Sequence, residues 1–231
     1  HIARYIFEEV GKRPLFAAGD RGLKVALVKV WESPHSAPRI MRFDVNDTAT
    51  VIEIFSSIQG EGLYVGSRQI FVRFAGCNIR CTYCDTAYAL KESDAEEFLT
   101  KEELLSCIRS YPWKRITFTG GEPLLQPLQE ICDILGEEGY EINIETNGAV
   151  PLLARRSQNL FYTMDYKCTD SGMKSFMRLP NLKELTEDDV LKFVVSSKTD
   201  LEDMKEIIIK YLLKRKKYGN AINTTTNILF I

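Results

Sequence analysis

Between Thr50 and Tyr218 the chain alternates short apolar runs with amphipathic stretches, and an unusual polar motif closes most of the runs. Thr50–Phe55, Gln69–Phe74, Arg115–Thr119, Tyr140–Glu145, Leu160–Met164 and Val190–Val195 read as strands, being rich in β-branched and aromatic residues. Helical patterns separate several of them. Thr100 opens one helix as a capping box with Glu103 and runs to about Ser110; Leu124–Glu138 is a second, stopped by Gly139; Thr199–Tyr218 is a third, with Thr199 and Glu202 as its box. Strands joined through helices are parallel strands with crossover connections, so the expected class is α/β, a barrel or an open sheet. In both, sites assemble at the C-terminal rim of the strands. That rim is where Gly120-Gly121-Glu122-Pro123, Thr146-Asn147-Gly148 and Asp165-Tyr166-Lys167 fall, which points to an enzyme.

The first part of the chain does not share this alternation. Residues 2–13 have helical periodicity with Ile2, Ile6 and Val10 on one face, and Leu23–Trp31 alternates as a strand before Ser-Pro-His-Ser-Ala-Pro breaks the pattern. One helix and one strand cannot close a core, so residues 1–39 are expected to be a helix–strand fragment of a second domain. Residues 41–218 are then the main domain and 219–231 an atypical, truncated tail. The chain opens on His1, as a fragment would, and Met41 is a candidate original start.

Composition narrows the function. Hydrophobic residues make up 45% and charged residues 27%, as in a soluble globular protein. With 30 basic against 32 acidic side chains, binding nucleic acid by phosphate neutralisation is disfavoured. The basic run Lys214–Lys217 complements the dipole at the end of a helix. No apolar run approaches the ~18 residues that span a bilayer, and no signal peptide is visible. Neither nucleic acid nor membrane is an expected partner. Clustered cysteines without an export signal suggest metal binding in a reducing cytoplasm.

Three of the six cysteines, Cys77, Cys81 and Cys84, fall in one short loop after the second strand. A four-iron cluster takes four thiolates, so three leave one iron free to bind a small molecule. Structural zinc is the rival, but it requires a fourth ligand. His1 and His35 lie in the dissimilar first segment, Cys107 and Cys132 sit in helical patterns as core residues, and Cys168 is in a loop with no clear role.

Cys-x3-Cys-x2-Cys after one strand and Gly-Gly-Glu-Pro after the next resemble the radical S-adenosylmethionine superfamily. Phe55–Gly62, Phe71–Asn78, Cys84-Asp85-Thr86 and Glu145–Gly148 further resemble the 7-carboxy-7-deazaguanine synthase family, over about residues 41–195. The resemblance implies a partial (β/α) barrel of the radical S-adenosylmethionine type. It implies that Cys77, Cys81 and Cys84 hold a [4Fe-4S] cluster whose open iron chelates S-adenosylmethionine. Tyr83, Gly120, Gly121, Glu122 and Lys167 then face that cofactor, the two glycines by close backbone approach and Glu122 as an anchor for its ammonium.

The implied reaction is a radical ring contraction, a carbon–nitrogen lyase step. It converts 6-carboxy-5,6,7,8-tetrahydropterin to 7-carboxy-7-deazaguanine with loss of ammonia, in queuosine or other deazapurine biosynthesis. Glu61 and Glu145 are the expected readers of the pterin N–H edge, with Gln59 and Thr119 beside them and Arg73 clamping the carboxylate. Thr86 matches the position that binds Mg²⁺ in this family. A flavodoxin or ferredoxin donor and a homodimer are expected on the same basis.

Two departures matter. Ala3–Val10 and Val28–Pro34 resemble the C-terminal end of 6-carboxytetrahydropterin synthase, Glu32 matching its pterin anchor, with the zinc-binding histidines absent. After Tyr218 nothing resembles the closing segment of the synthase family, and residues 226–231 offer only a short strand. The missing closing segment leaves an inactive metal-binding remnant as one alternative; a glycyl-radical enzyme activase, which shares the cysteine spacing but acts on a protein, is the other.

Overall fold

The computed structural model of the chain describes residues 15–18, 24–30, 39–44, 48–213 and 227–230. It divides into two units, residues 1–48 and 49–231. In the first, β1 (Leu15–Ala18), β2 (Lys24–Val30) and β3 (Arg39–Asp44) form an antiparallel sheet in that order. β2 is the strand expected over Leu23–Trp31; the helix expected over 2–13 lies outside the described residues. β3 pairs with β2 along its whole length, Arg39 opposite Val30 and Asp44 opposite Val25. The unit therefore runs past the boundary expected at 39–41 and places Met41 inside a strand. The proline-flanked segment that reads as a break links two strands of one sheet.

The second unit is built on an eight-stranded sheet. Its strands are β4 (Thr48–Ile58), β5 (Arg68–Phe74), β6 (Glu97–Thr100), β7 (Arg115–Gly120), β8 (Glu141–Thr146), β9 (Leu160–Tyr166), β10 (Val190–Phe193) and β11 (Asn227–Phe230). The order is β11-β10-β9-β8-β7-β5-β4-β6, with β4 antiparallel to β5 and every pair from β5 through β7, β8, β9 and β10 to β11 parallel. The sheet does not close, as expected of a partial barrel. β11 supplies a sixth parallel strand from the stretch where the sequence offered a short one.

Residue parity along the parallel strands separates the two faces of the sheet. Ile70, Val72 and Phe74, then Ile116 and Phe118, Ile142 and Ile144, and Tyr162 and Met164 are buried in one apolar core. Against that core lie α1 (Lys101–Arg109), burying Leu104, Leu105 and Ile108, and α2 (Leu128–Glu137), burying Leu128, Ile131, Cys132 and Leu135. α3 (Asn181–Glu184) adds Leu182 and α4 (Lys198–Ile207) adds Met204 and Ile207. Each fully buried side chain of this kind contributes roughly 1.5–3 kcal/mol. The intervening positions, Arg73, Thr119, Asn143, Glu145, Thr163 and Asp165, line a cavity on the other face. Parallel strands buried on both faces usually read as continuous apolar runs, so these polar alternates mark a wet interior.

Helix boundaries differ from the expected ones in two places. The expected helix over Leu124–Glu138 splits into a 3-10 turn at Pro123–Leu125 and α2, because Pro127 disfavours helical geometry at Gln126 before it. The third helix starts one residue early. Ser197, not Thr199, caps it by accepting from the backbone N–H of Asp200 at 3.2 Å. It passes into a π-helical segment at Ile208–Leu213, and 214–218 lie outside the described residues. The capping box of Thr100 and Glu103 is present as expected. No helix among the described residues is long and apolar enough to cross a membrane.

Candidate active site

β5 delivers the cysteine loop. Its backbone is pinned where it leaves the sheet: Gly76 N–H donates to Ala89 O at 2.9 Å and Cys77 N–H to Leu90 O at 3.1 Å. The Arg80 guanidinium then gathers the carbonyls of Cys77 and Ile79, both at 2.7 Å. Thr82 ties the far side of the loop to the segment after β9, donating from N to Ser171 O at 3.0 Å and from Oγ1 to Asp170 O at 2.6 Å. Cys77, Cys81 and Cys84 are free, half-buried thiols that face the cavity. Burial pushes the thiols of Cys77 and Cys81 above the ordinary range, and Lys167 pulls Cys81 back.

The glycines after β7 serve the loop. A Cβ on Gly120, whose φ is 118°, would collide with the backbone of Phe74, and one on Gly121 with the carbonyl of Gly76. Gly121 N–H donates to Phe74 O at 2.9 Å and Glu122 N–H to Gly76 O at 2.8 Å, so strand end and cysteine loop are in direct backbone contact. Both glycines line the cavity.

Glu122, expected as an ammonium anchor, does not line it. Its side chain is completely buried, and its carboxylate accepts from Asn147 N at 2.8 Å, Thr146 Oγ1 at 2.8 Å and Leu124 N at 3.0 Å. Burial pushes this carboxyl up to about 7, against the pull of those hydrogen bonds. It holds the turn after β8 and the start of the 3-10 turn in shape.

The other expected residues converge. One cavity of about 660 Å³ is lined by Gln59, Glu61, Arg73, Tyr83, Thr86, Thr119, Glu145 and Lys167 together with the three cysteines. Gln59 Nε2 donates to Glu145 Oε1 at 3.1 Å, while Gln59 Oε1 accepts from Glu61 N at 3.2 Å. Burial raises the Glu145 carboxyl, against hydrogen bonds from Thr119 and Gln59. Arg73 Nε donates to Glu53 Oε1 at 2.8 Å, and its guanidinium lies 5.8 Å from the centre of the Tyr88 ring. Thr86 Oγ1 donates to Asp85 Oδ1 at 2.7 Å, which sets two hard oxygen donors side by side. Lys167 pairs with Asp165 at 2.9 Å and stands 5.7 Å from the centre of the Tyr83 ring. Burial alone would lower the Lys167 ammonium, but Asp165 together with Cys81 and Cys84 raises it.

The remaining cysteines stay apart from this cavity. Cys132 and Cys168 are buried in the core, and Cys107 packs against it. Cys168 lies beside Asp200 and Asp203. Both oxygens of each carboxylate are already engaged: by Asp170 N and Ser196 on Asp200, and by Thr169 and Lys174 on Asp203. That group is a clamp on the segment after β9.

Lys192, Asn143 and Thr163 line the cavity without having been singled out from the sequence, and Asn147, read there only as part of a rim motif, joins them. Lys192, on β10, reaches Glu61 Oε2 at 2.6 Å and Asp165 at 3.9 Å. It sits beside Asp165 in register, as Thr163 sits beside Glu145. Strand parity was the available signal: each of these strand residues alternates with core positions.

The profile described as Radical SAM superfamily matches residues 71–161. The chain is 44% identical over 170 residues to 7-carboxy-7-deazaguanine synthase of Clostridium acetobutylicum, covering 72% of this chain and 77% of that protein. It is 34% identical over 180 residues to the protein of the same name from Aquifex aeolicus, covering 76% and 78%. Among solved structures, QueE from Escherichia coli matches with a TM-score of 0.61 at 22% identity, covering 80% of this chain and 94% of that one; at this identity the likeness speaks for the fold alone. Three open thiols at a parallel-strand rim and this extent of shared sequence lead to one assignment: the chain belongs to the 7-carboxy-7-deazaguanine synthase family of radical S-adenosylmethionine enzymes.

Proposed function

We propose that this chain is a lyase converting 6-carboxy-5,6,7,8-tetrahydropterin to 7-carboxy-7-deazaguanine with release of ammonia. The observation that carries this reading is the convergence, in one cavity, of three unpaired thiols with two carboxylates and a guanidinium. The donor set fits a [4Fe-4S] cluster. Three sulfurs face the cavity, and among the described residues no fourth cysteine joins them to complete a structural zinc site. When bound, the cluster and S-adenosylmethionine supply the one-electron chemistry that removes a hydrogen atom from carbon 6 of the pterin.

The chain's own residues bind and orient. Glu53 holds Arg73 by Nε, leaving the terminal nitrogens to grip the substrate carboxylate as a fork. Glu61 and Glu145 accept from the amino-pyrimidinone edge; Gln59 holds the Glu145 carboxylate and the Glu61 backbone N–H, and Lys192 holds the Glu61 carboxylate. Thr119 completes that wall. Asp85 and Thr86 offer oxygen to Mg²⁺, whose remaining positions go to water and substrate. Tyr83, the Gly120–Gly121 backbone and Lys167 border the side facing the cysteines, where S-adenosylmethionine belongs. A flavodoxin or ferredoxin supplies the electron, a homodimer is the assembly, and the thiols require a reducing, cytoplasmic setting.

Anaerobic reconstitution tests this directly. The expected result is 5′-deoxyadenosine and 7-carboxy-7-deazaguanine only when the carboxypterin is present. Retained zinc with no cofactor cleavage, or cleavage that depends on a protein substrate, overturns it.

A further inference from the structure

The turn after β8 brings a side-chain amide to one of the three thiols. Asn147 Nδ2 lies 3.7 Å from Cys77 Sγ and 2.9 Å from Asn78 Oδ1, while Asn147 Oδ1 accepts from Ala149 N at 2.9 Å. That backbone donor fixes which end of the amide is oxygen, so both amide hydrogens are directed to the loop, one of them at the sulfur. Asn147 is 8% exposed, and its own N–H is held by Glu122 Oε2 at 2.8 Å. Glu122 Oε1 holds Thr146 Oγ1 and Leu124 N at the same time. The carboxylate that does not reach the cavity therefore sets the angle of the amide that does.

We infer that Asn147 is a positioning residue that sets the electron affinity of the three-thiolate site through an N–H···S bond to Cys77, and that Glu122 holds it in place. The inference rests on Cys77, Cys81 and Cys84 carrying the iron–sulfur cluster proposed above. A hydrogen bond to a ligating sulfur stabilises the more negative, reduced state of a cluster, and outer partners of this kind tune reduction potential. Losing one such bond favours the oxidised state.

The test is an EPR-monitored redox titration of the reconstituted protein without pterin. Asn147→Ala is expected to lower the reduced-to-oxidised ratio at a fixed poise by roughly five- to tenfold. Glu122→Gln, which presents an N–H to the Asn147 backbone in place of an acceptor, shifts it in the same direction. Wild-type protein carrying ¹⁵N in its asparagine side chains adds a readout that needs no variant to fold: pulsed EPR of the reduced cluster should show a coupling to that nitrogen. Unchanged ratios in both variants with intact cluster absorbance overturn the inference, and so does the absence of the nitrogen coupling in wild type. A wild type that holds a cluster yet makes no 7-carboxy-7-deazaguanine overturns the proposed reaction only, since no substrate enters the titration.

Discussion

The two faces of β5, β7, β8 and β9 are made by the same strands under different rules. On one face Ile70, Phe74, Ile116, Phe118, Ile142 and Ile144 interlock with α1 and α2, and any missing atom leaves a hole. On the other, Arg73, Thr119, Glu145 and Asp165 are held by polar partners on neighbouring strands and loops, which a polar ligand can replace one for one. The first face sets whether the chain folds; the second sets what it does. Sheet parity lets the two be altered separately.

The sharpest way to break that comparison is Cys81→Ala. Cofactor cleavage should be lost completely in an anaerobic 5′-deoxyadenosine assay while the thermal midpoint of the metal-free protein stays near wild type; a collapse in stability would show the cavity face to be structural. Phe118→Ala should do the reverse, costing about 3–5 kcal/mol in urea unfolding with cluster absorbance per folded molecule retained. Arg73→Ala should reduce kcat/KM for the carboxypterin roughly 10- to 100-fold through KM, leaving the cluster spectrum unaltered.

Glu122 gives a pH test. Its folded-state carboxyl sits at about 7 against an ordinary 4.5. The native chain therefore keeps a proton that the unfolded chain releases, and stability falls as pH rises between those values. In Glu122→Gln the loss of unfolding free energy from pH 5 to pH 8 should shrink by about 1–3 kcal/mol. Lys192→Met should matter least to folding. Its partner Glu61 is 49% exposed, so the lost ion pair costs under about 1 kcal/mol in chemical denaturation.

The parallel sheet was legible because strand and helix periods differ, and because the capping box of Thr100 and Glu103 marks a helix start unambiguously. The cavity was legible through its motifs. Gln59, Glu61, Arg73, Thr119 and Glu145 do line one wall system, while Glu122, expected to face the cofactor beside the two glycines, is buried behind the turn they open. Lys192 escaped notice because a single lysine inside an apolar run looks like solvent exposure. Only the pairing of β10 with β9 shows that it sits beside Asp165. The first unit was hardest: a proline-rich break cannot by itself distinguish a domain boundary from a link within one small sheet.

The contact of Gly121 with the carbonyl of Gly76 has a consequence for how such chains are sorted. The cradle for the thiols borrows its shape from a strand end far along the chain, at a spot where a single methyl group would act as a wedge. A copy of this sequence with all three cysteines and an alanine at Gly121 would pass any census of metal ligands. It would carry the sulfhydryls without the cradle that shapes them.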